Sequence, residues 1–234
     1  GTPWHKQDAW EIVPRPIKFN VNHEETSHIL TDEDKKQKRS TTTGSMWAAN
    51  YLLEHVSDDD ALFREPTWGK WRSTGIEGAV AQLDAAFDGD HWCALTIMAR
   101  RSDGKLQGIG KTYNGNVKDW MPTVVDHCRK FGAKKIYIED NADKGYTADE
   151  LKGYGLSVGR YSESQNKHVK IATYLFEAWP NLIWDEDETD GEYMSQVLDY
   201  REKQEPDDSP DSAASLIRER FSTRKSARSE RWKW

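Results

Sequence analysis

An α/β domain built on a mixed sheet is the fold class this sequence predicts, on three observations. From Gly78 onward, apolar residues alternate in three successive runs joined by tight-turn signals. The period then switches, with Val117, Trp120, Met121, Val124 and Cys128 recurring at three and four residues. Beyond that point helical and strand patterns take turns, the texture of helices layered on parallel strands.

In the first strand Val80, Gln82 and Asp84 share one face, and Ala81, Leu83, Ala85 and Phe87 the other. Asp88-Gly89-Asp90 makes a hairpin turn into a second strand over 91–100. Asp103-Gly104 turns into a third over 105–113, because Asp-Gly tolerates the positive φ that such turns require. Three antiparallel strands result. The amphipathic helix that follows is closed by Gly132. A fourth strand over 134–139 buries Ile136 and Ile138, and a short helix over 147–153 leads to a strand over 156–161. A longer helix over 167–179 aligns Ile171, Tyr174, Leu175 and Ala178 and stops at Pro180. A strand over 182–184, a helix over 192–200 and a last helix from about Pro210 to Phe221 complete the pattern. The acidic run 185–192 reads as a solvated loop.

Residues 1–75 carry no sustained period; a helix over 45–55 is the one element expected there, and the segment reads as a connector. With 234 residues the chain has room for one principal domain plus extensions. It contains no run of about 18 apolar residues, so helical membrane spans are not expected. Its first 20 residues do not have the form of a signal peptide, from which we expect an intracellular protein. The two cysteines, Cys93 and Cys128, read as reduced core thiols and exclude a disulfide framework or a thiolate zinc site. Eleven tryptophans are many for this length and are read chiefly as packing residues. Charge is uneven: 33 Lys and Arg face 40 Asp and Glu, for a net −7. From Arg218 onward seven basic residues face two acids, a balance of +5 that leaves −12 for the rest. An acidic body with a basic end suits a protein that gathers cations in one place and touches a polyanion with another.

The chemistry is expected at three acidic clusters. Asp84 sits inside an apolar strand, where a lone carboxylate costs several kcal/mol unless it caps a turn, pairs with an arginine or meets a cation. Glu139 closes the fourth strand, at the sheet edge where open α/β sheets bind ligands. Asp140 and Asn141 are read as turn formers. Asp208 and Asp211 stand three apart at the start of the last helix, where dipole complementation alone would account for them. Taken together, converging acids must either protonate or bind cations. Oxygen donors without His or Cys favour two divalent ions, Mg²⁺ or Mn²⁺, and two such ions hydrolyse phosphodiesters.

In order and position these acids resemble the ribonuclease-H-like nuclease fold. The strings Leu83-Asp84-Ala85-Ala86-Phe87-Asp88-Gly89-Asp90, Ile138-Glu139-Asp140-Asn141-Ala142-Asp143-Lys144-Gly145 and Asp207-Asp208-Ser209-Pro210-Asp211-Ser212-Ala213-Ala214 look like the three acidic motifs of the nuclease domain in large terminase subunits of tailed bacteriophages. The opening Gly1-Thr2-Pro3-Trp4-His5-Lys6-Gln7-Asp8 is similar to the segment that ends the ATPase domain of those proteins, and Ala48-Ala49-Asn50-Tyr51 to their bridging aromatic stretch.

The resemblance implies a metal-dependent endonuclease that cuts concatemeric viral DNA during genome packaging. It implies a connector from an ATPase domain over 1–75, a nuclease domain over 76–221 and a basic tail over 222–234. Asp84 and Glu139 would bind or bridge both ions, and Asp208 or Asp211 would complete the shell. Lys167 would contact a phosphate, and Arg224, Lys225 and Arg228 in the tail would add salt-sensitive affinity for duplex DNA. Pro206 stands where the family often has His, so no role for that His transfers. Expected partners are the ATPase domain of the full-length protein, the small terminase subunit and the portal, in the host cytoplasm. The chain lacks a Gly-x-x-x-x-Gly-Lys-Ser/Thr loop, so no ATPase activity is expected of it. Two other readings stay open: a Holliday-junction-resolvase-like or repair nuclease, and a non-catalytic module that docks on a portal.

Overall fold

Seven strands form one sheet in the order β1-β7-β4-β3-β2-β5-β6. They are β1 (Thr67–Gly69), β2 (Val80–Asp84), β3 (Trp92–Arg100), β4 (Leu106–Asn114), β5 (Lys135–Glu139), β6 (Ser157–Tyr161) and β7 (Leu182–Asp185). The structure is a computed structural model and describes residues 61–87, 92–140, 145–202 and 205–222. These all fall in the second of two units, Asp60–Trp234. β2, β3 and β4 are antiparallel neighbours, while β5 runs parallel to β2, β6 to β5, and β7 to both β4 and β1. This is the mixed sheet, three antiparallel strands followed by parallel ones, that the sequence predicts.

Both faces of the sheet are covered, which is why the central strands read as apolar runs. Ala81, Leu83, Ile97, Ile109 and Ile136 pack on one side with α1 (Val117–Lys130) and α2 (Tyr146–Gly153). Asn116 caps α1 by accepting from the Lys118 N–H, Asp119 stands in the first turn, and Gly132 at φ +75° follows the last. Val117, Met121, Val124, Val125 and Cys128 are its buried stripe, each Val or Met being worth about 1.5–3 kcal/mol over exposure. On the other side Val80, Ala94, Met98 and Trp184 meet the remaining helices. These are α3 (Lys167–Lys170), α4 (Phe176–Ala178), α5 (Gly191–Leu198) and α6 (Asp208–Leu216).

Several expectations change. The helix expected over 167–179 is interrupted by a π segment at Ile171–Leu175, and Pro180 lies inside a closing 3-10 turn, Trp179–Asn181. The last helix also ends in a π segment, Ile217–Phe221. β1 is a sheet strand that lies before residue 76; at three residues it is too short to show a period. The acidic run 185–192 is not simply solvated. Asp185 is buried and accepts the backbone N–H groups of Trp71, Asp187 and Glu188, so it closes a turn and holds the chain beyond β1. Asp190 pairs with Lys111. Cys93 and Cys128 are buried free thiols, as expected. No helix among the described residues is long and apolar enough to cross a membrane. The turn 88–90, residues 141–143, the helix over 45–55 and the tail beyond 222 lie outside the described residues.

Candidate active site

Sheet register brings the first two acids together. Leu83 of β2 pairs with Ile138 of the parallel β5, so the next residues along, Asp84 and Glu139, are neighbours on adjacent strands about 4.8 Å apart. Alternation places Asp84 on the face of Val80 and Gln82, and Glu139 on that of Lys135 and Tyr137. Both line one cleft at the carboxyl edge of the sheet, walled by Phe87, Ile138 and Thr147. Asp84 has no cation within ion-pair distance among the described residues. Burial pushes its carboxyl up to about 8, and the like charges of Asp211 and Asp208 push the same way, against weaker pulls from Lys167 and Lys170.

The third cluster comes from the start of α6, which crosses the sheet over β2 and β3. Asp207 occupies the N-cap position and Asp208 and Asp211 the first turn, where the helix dipole favours carboxylates. Burial pushes Asp208 up to about 6; Asp207 and Asp211 add to the rise, and Lys167 and its own backbone N–H oppose it. Asp211 differs from the other two. It is buried, with Lys170 Nζ 2.6 Å from its Oδ1 and Lys167 Nζ 3.8 Å from its Oδ2. That Oδ1 contact is an ion pair without the alignment of a hydrogen bond.

Lys170 is itself only 1% exposed, which requires more than one counter-charge, and Glu163 supplies the second at 2.8 Å. Arg218 closes the network with 2.9 and 2.7 Å hydrogen bonds to Glu163. Burial alone would raise the Glu163 carboxyl, but Lys170, the Gln165 N–H and Arg218 take it down to about 2. Lys167 donates to Asp207 at 2.8 Å. Burial works against its charge, yet Asp211, Asp207 and Asp84 raise its pKa above the ordinary lysine range.

Asp84, Asp208 and Asp211 are thus mutual electrostatic neighbours, and Glu139 shares the cleft of Asp84. Lys167 lies among them, with its ammonium turned into the acids. Arg224, Lys225 and Arg228 lie outside the described residues. The acids are not drawn into a closed shell: among the described residues no group of three or more His, Cys, Asp or Glu side chains is placed to hold a metal ion. Asp211 departs furthest from the expected role, because its charge is met by lysine. Sequence reading missed Lys170 and Glu163, and it left open which of Asp207, Asp208 and Asp211 would bind metal. The available signal was Lys170 itself, four residues before Tyr174 on the apolar stripe of its helix.

No protein-family model matches this chain, and no curated protein does. Among solved structures it is similar to the large terminase nuclease of thermophilic phage G20c, solved with bound zinc, at 13% identity and TM-score 0.48 over 67% of this chain and 95% of that one. It is similar to the nuclease domain of the large terminase subunit gp2 of bacterial virus Sf6, at 9% identity and TM-score 0.41 over 76% and 93%. RuvC of Thermus thermophilus matches at 14% identity and TM-score 0.35 over 58% and 88%.

Proposed function

We propose that this chain is a DNA endonuclease that hydrolyses phosphodiester bonds with divalent ions held by Asp84, Glu139 and Asp208. The observation that carries the proposal is Asp84: a carboxyl at the end of a central strand, without a cationic partner among the described residues, pushed up to about 8 by burial and by two acids from a segment more than 120 residues away. Two carboxylates about 4 Å apart repel by about 4 kcal/mol at an effective dielectric near 20, and a cation that relieves this binds accordingly. The donors are carboxylate oxygens alone, which suits Mg²⁺ or Mn²⁺. Divalent ions held by these carboxylates would supply a lowered pKa for an attacking water and charge stabilisation for the leaving oxygen.

The protein's own groups divide the remaining work. Asp84 lies between Glu139 on one flank and α6 on the other, and so links the two halves of the site. Asp211, neutralised by Lys170, anchors the helix that presents Asp208. Lys167, with its side chain 43% exposed, is the cation at the rim best placed to meet a phosphate oxygen once metal has relieved the acids of it. On this reading the ions would activate the water, so activity should depend on divalent ions.

The three acidic strings in their order support a packaging role: cutting concatemeric viral DNA in the host cytoplasm, alongside an ATPase domain, a small terminase subunit and a portal. Purified protein should nick and then linearise plasmid with Mn²⁺ or Mg²⁺, and EDTA should abolish this. Asp84→Asn should lower the rate about 100-fold or more with the fold retained. Cleavage that persists in EDTA, or at the parental rate in that variant, rules the assignment out.

A further inference from the structure

A buried polar seam runs beneath the acids, along an interface that is otherwise apolar. Gln82, Thr96 and Ser212 are at most 2% exposed, and Ser212 lies among Ala213, Ala214 and Leu216. Gln82 and Thr96 are register partners across β2 and β3. The Ser212 hydroxyl donates to Gln82 Oε1 and lies 2.7 Å from the Thr96 hydroxyl. It also reaches the carbonyls of Ala94 at 3.3 Å and Gln82 at 3.4 Å. The Gln82 amide in turn donates to the Tyr161 hydroxyl at 3.0 Å, and the Thr96 hydroxyl meets that of Tyr193.

Apolar contact alone would hold α6 against the sheet but leave it free to slide and roll, because burial is non-directional. Hydrogen bonds have direction, and a buried hydroxyl left without a partner costs about 1–3 kcal/mol, so this seam admits one position of the helix. Its place in the sequence gives it a further consequence. Gln82 and Asp84 are two apart on one face of a strand, a rise of about 6.6 Å. Ser212 and Asp208 are four apart on one face of a helix, a rise of about 6 Å. The two spacings nearly match, so the Gln82–Ser212 contact sets where the first turn of α6 stands over the Asp84 end of β2, where the charges of Asp211 and Asp208 act on Asp84.

We infer that Ser212 and Gln82 are positioning residues: their hydrogen bond sets the register of α6 on β2 and thereby holds Asp208 opposite Asp84. The inference rests on the proposed metal-dependent chemistry for its functional meaning, but the geometry has its own test. Ser212→Ala and Gln82→Met each remove the bond without touching an acid. Each should weaken Mn²⁺ binding in calorimetry about tenfold and lower kcat while leaving KM for DNA unchanged, and the double variant should lose no more than either single one. In metal-free protein at pH 8, Asp84→Asn should raise Tm in the parent by relieving repulsion. It should raise Tm by less than half as much when combined with Ser212→Ala. Variants that lower Tm yet keep parental Mn²⁺ affinity and the full gain from Asp84→Asn would reduce the seam to ordinary packing and overturn the inference. If the parent itself binds no Mn²⁺, the nuclease reading falls, and the metal-free comparison still decides whether the seam sets the register.

Discussion

Asp84 and Glu163 shift in opposite senses, and the pH dependence of stability follows from both. The Asp84 carboxyl holds its proton up to about pH 8 in the fold but only to 3.8 ordinarily, so the native state binds more protons between those values and loses stability as pH rises through them. Asp208, raised to about 6, acts in the same sense. Glu163, lowered to about 2 from 4.5, contributes stability that is fully present above pH 4.5 and lost as pH falls toward 2. His127, lowered chiefly by burial, also favours the higher pH and partly offsets the acids. The acid-specific part is therefore isolated by comparison with Asp84→Asn. In EDTA that variant should melt at the parental temperature near pH 4 and progressively above it toward pH 8, by about 2–4 °C for each kcal/mol relieved. Adding Mn²⁺ at pH 8 should stabilise the parent and leave the variant nearly unmoved. Melting curves that coincide at pH 8 would mean that Asp84 is not under charge stress.

At the scale of elements, the packing of α5 and of a β7 side chain against β4 depends on two glycines. Gly108 and Gly110 alternate on one face of β4, and a Cβ at Gly110 would lie 2.1 Å from the Tyr193 ring while one at Gly108 would meet Trp184 at 3.0 Å. Tyr193 belongs to α5 and is fully buried, so it cannot swing away. Gly110→Ala should therefore push α5 outward and cost about 1–3 kcal/mol or more in chemical denaturation. Gly153, the last residue of α2, has nothing within 4 Å of where a Cβ would lie. Gly153→Ala should stabilise by about 0.5–1 kcal/mol, and equal effects at the two positions would contradict the packing described.

For the whole molecule the governing quantity is the separation of charge. On the proposed reading, a chain of net −7 with acids lining its cleft would meet DNA through basic residues, and these are enriched from Arg218 onward. Neutralising Arg224, Lys225 and Arg228 together should weaken DNA binding evenly across sequences. Plots of log affinity against log salt should become shallower by about 0.9 for each phosphate that the tail no longer neutralises. An unchanged slope in fluorescence titrations would show that the tail does not touch the backbone.

The strands β2 to β7 and the main helices were legible because each is a local pattern: alternation for β2, spacing at three and four for α1, Asp103-Gly104 for a turn whose Gly104 does take φ +84°. The acids were legible for a related reason, since Asp84 in an apolar strand is a local contradiction. Periodicity reports whether a residue is buried but not what it meets there. That Lys170 enters the core to pair with Asp211 and Glu163, that Asp185 folds back on Trp71, and that Ser212 lands on Gln82 are consequences of how distant segments pack. The sequence by itself determined strands β2 to β7, the main helices, and the acids that the ends of β2 and β5 would carry. Only the tertiary structure decided which of those charges are already met within the fold, because ion pairs and buried hydrogen bonds depend on distances of a few ångströms between residues far apart in the chain.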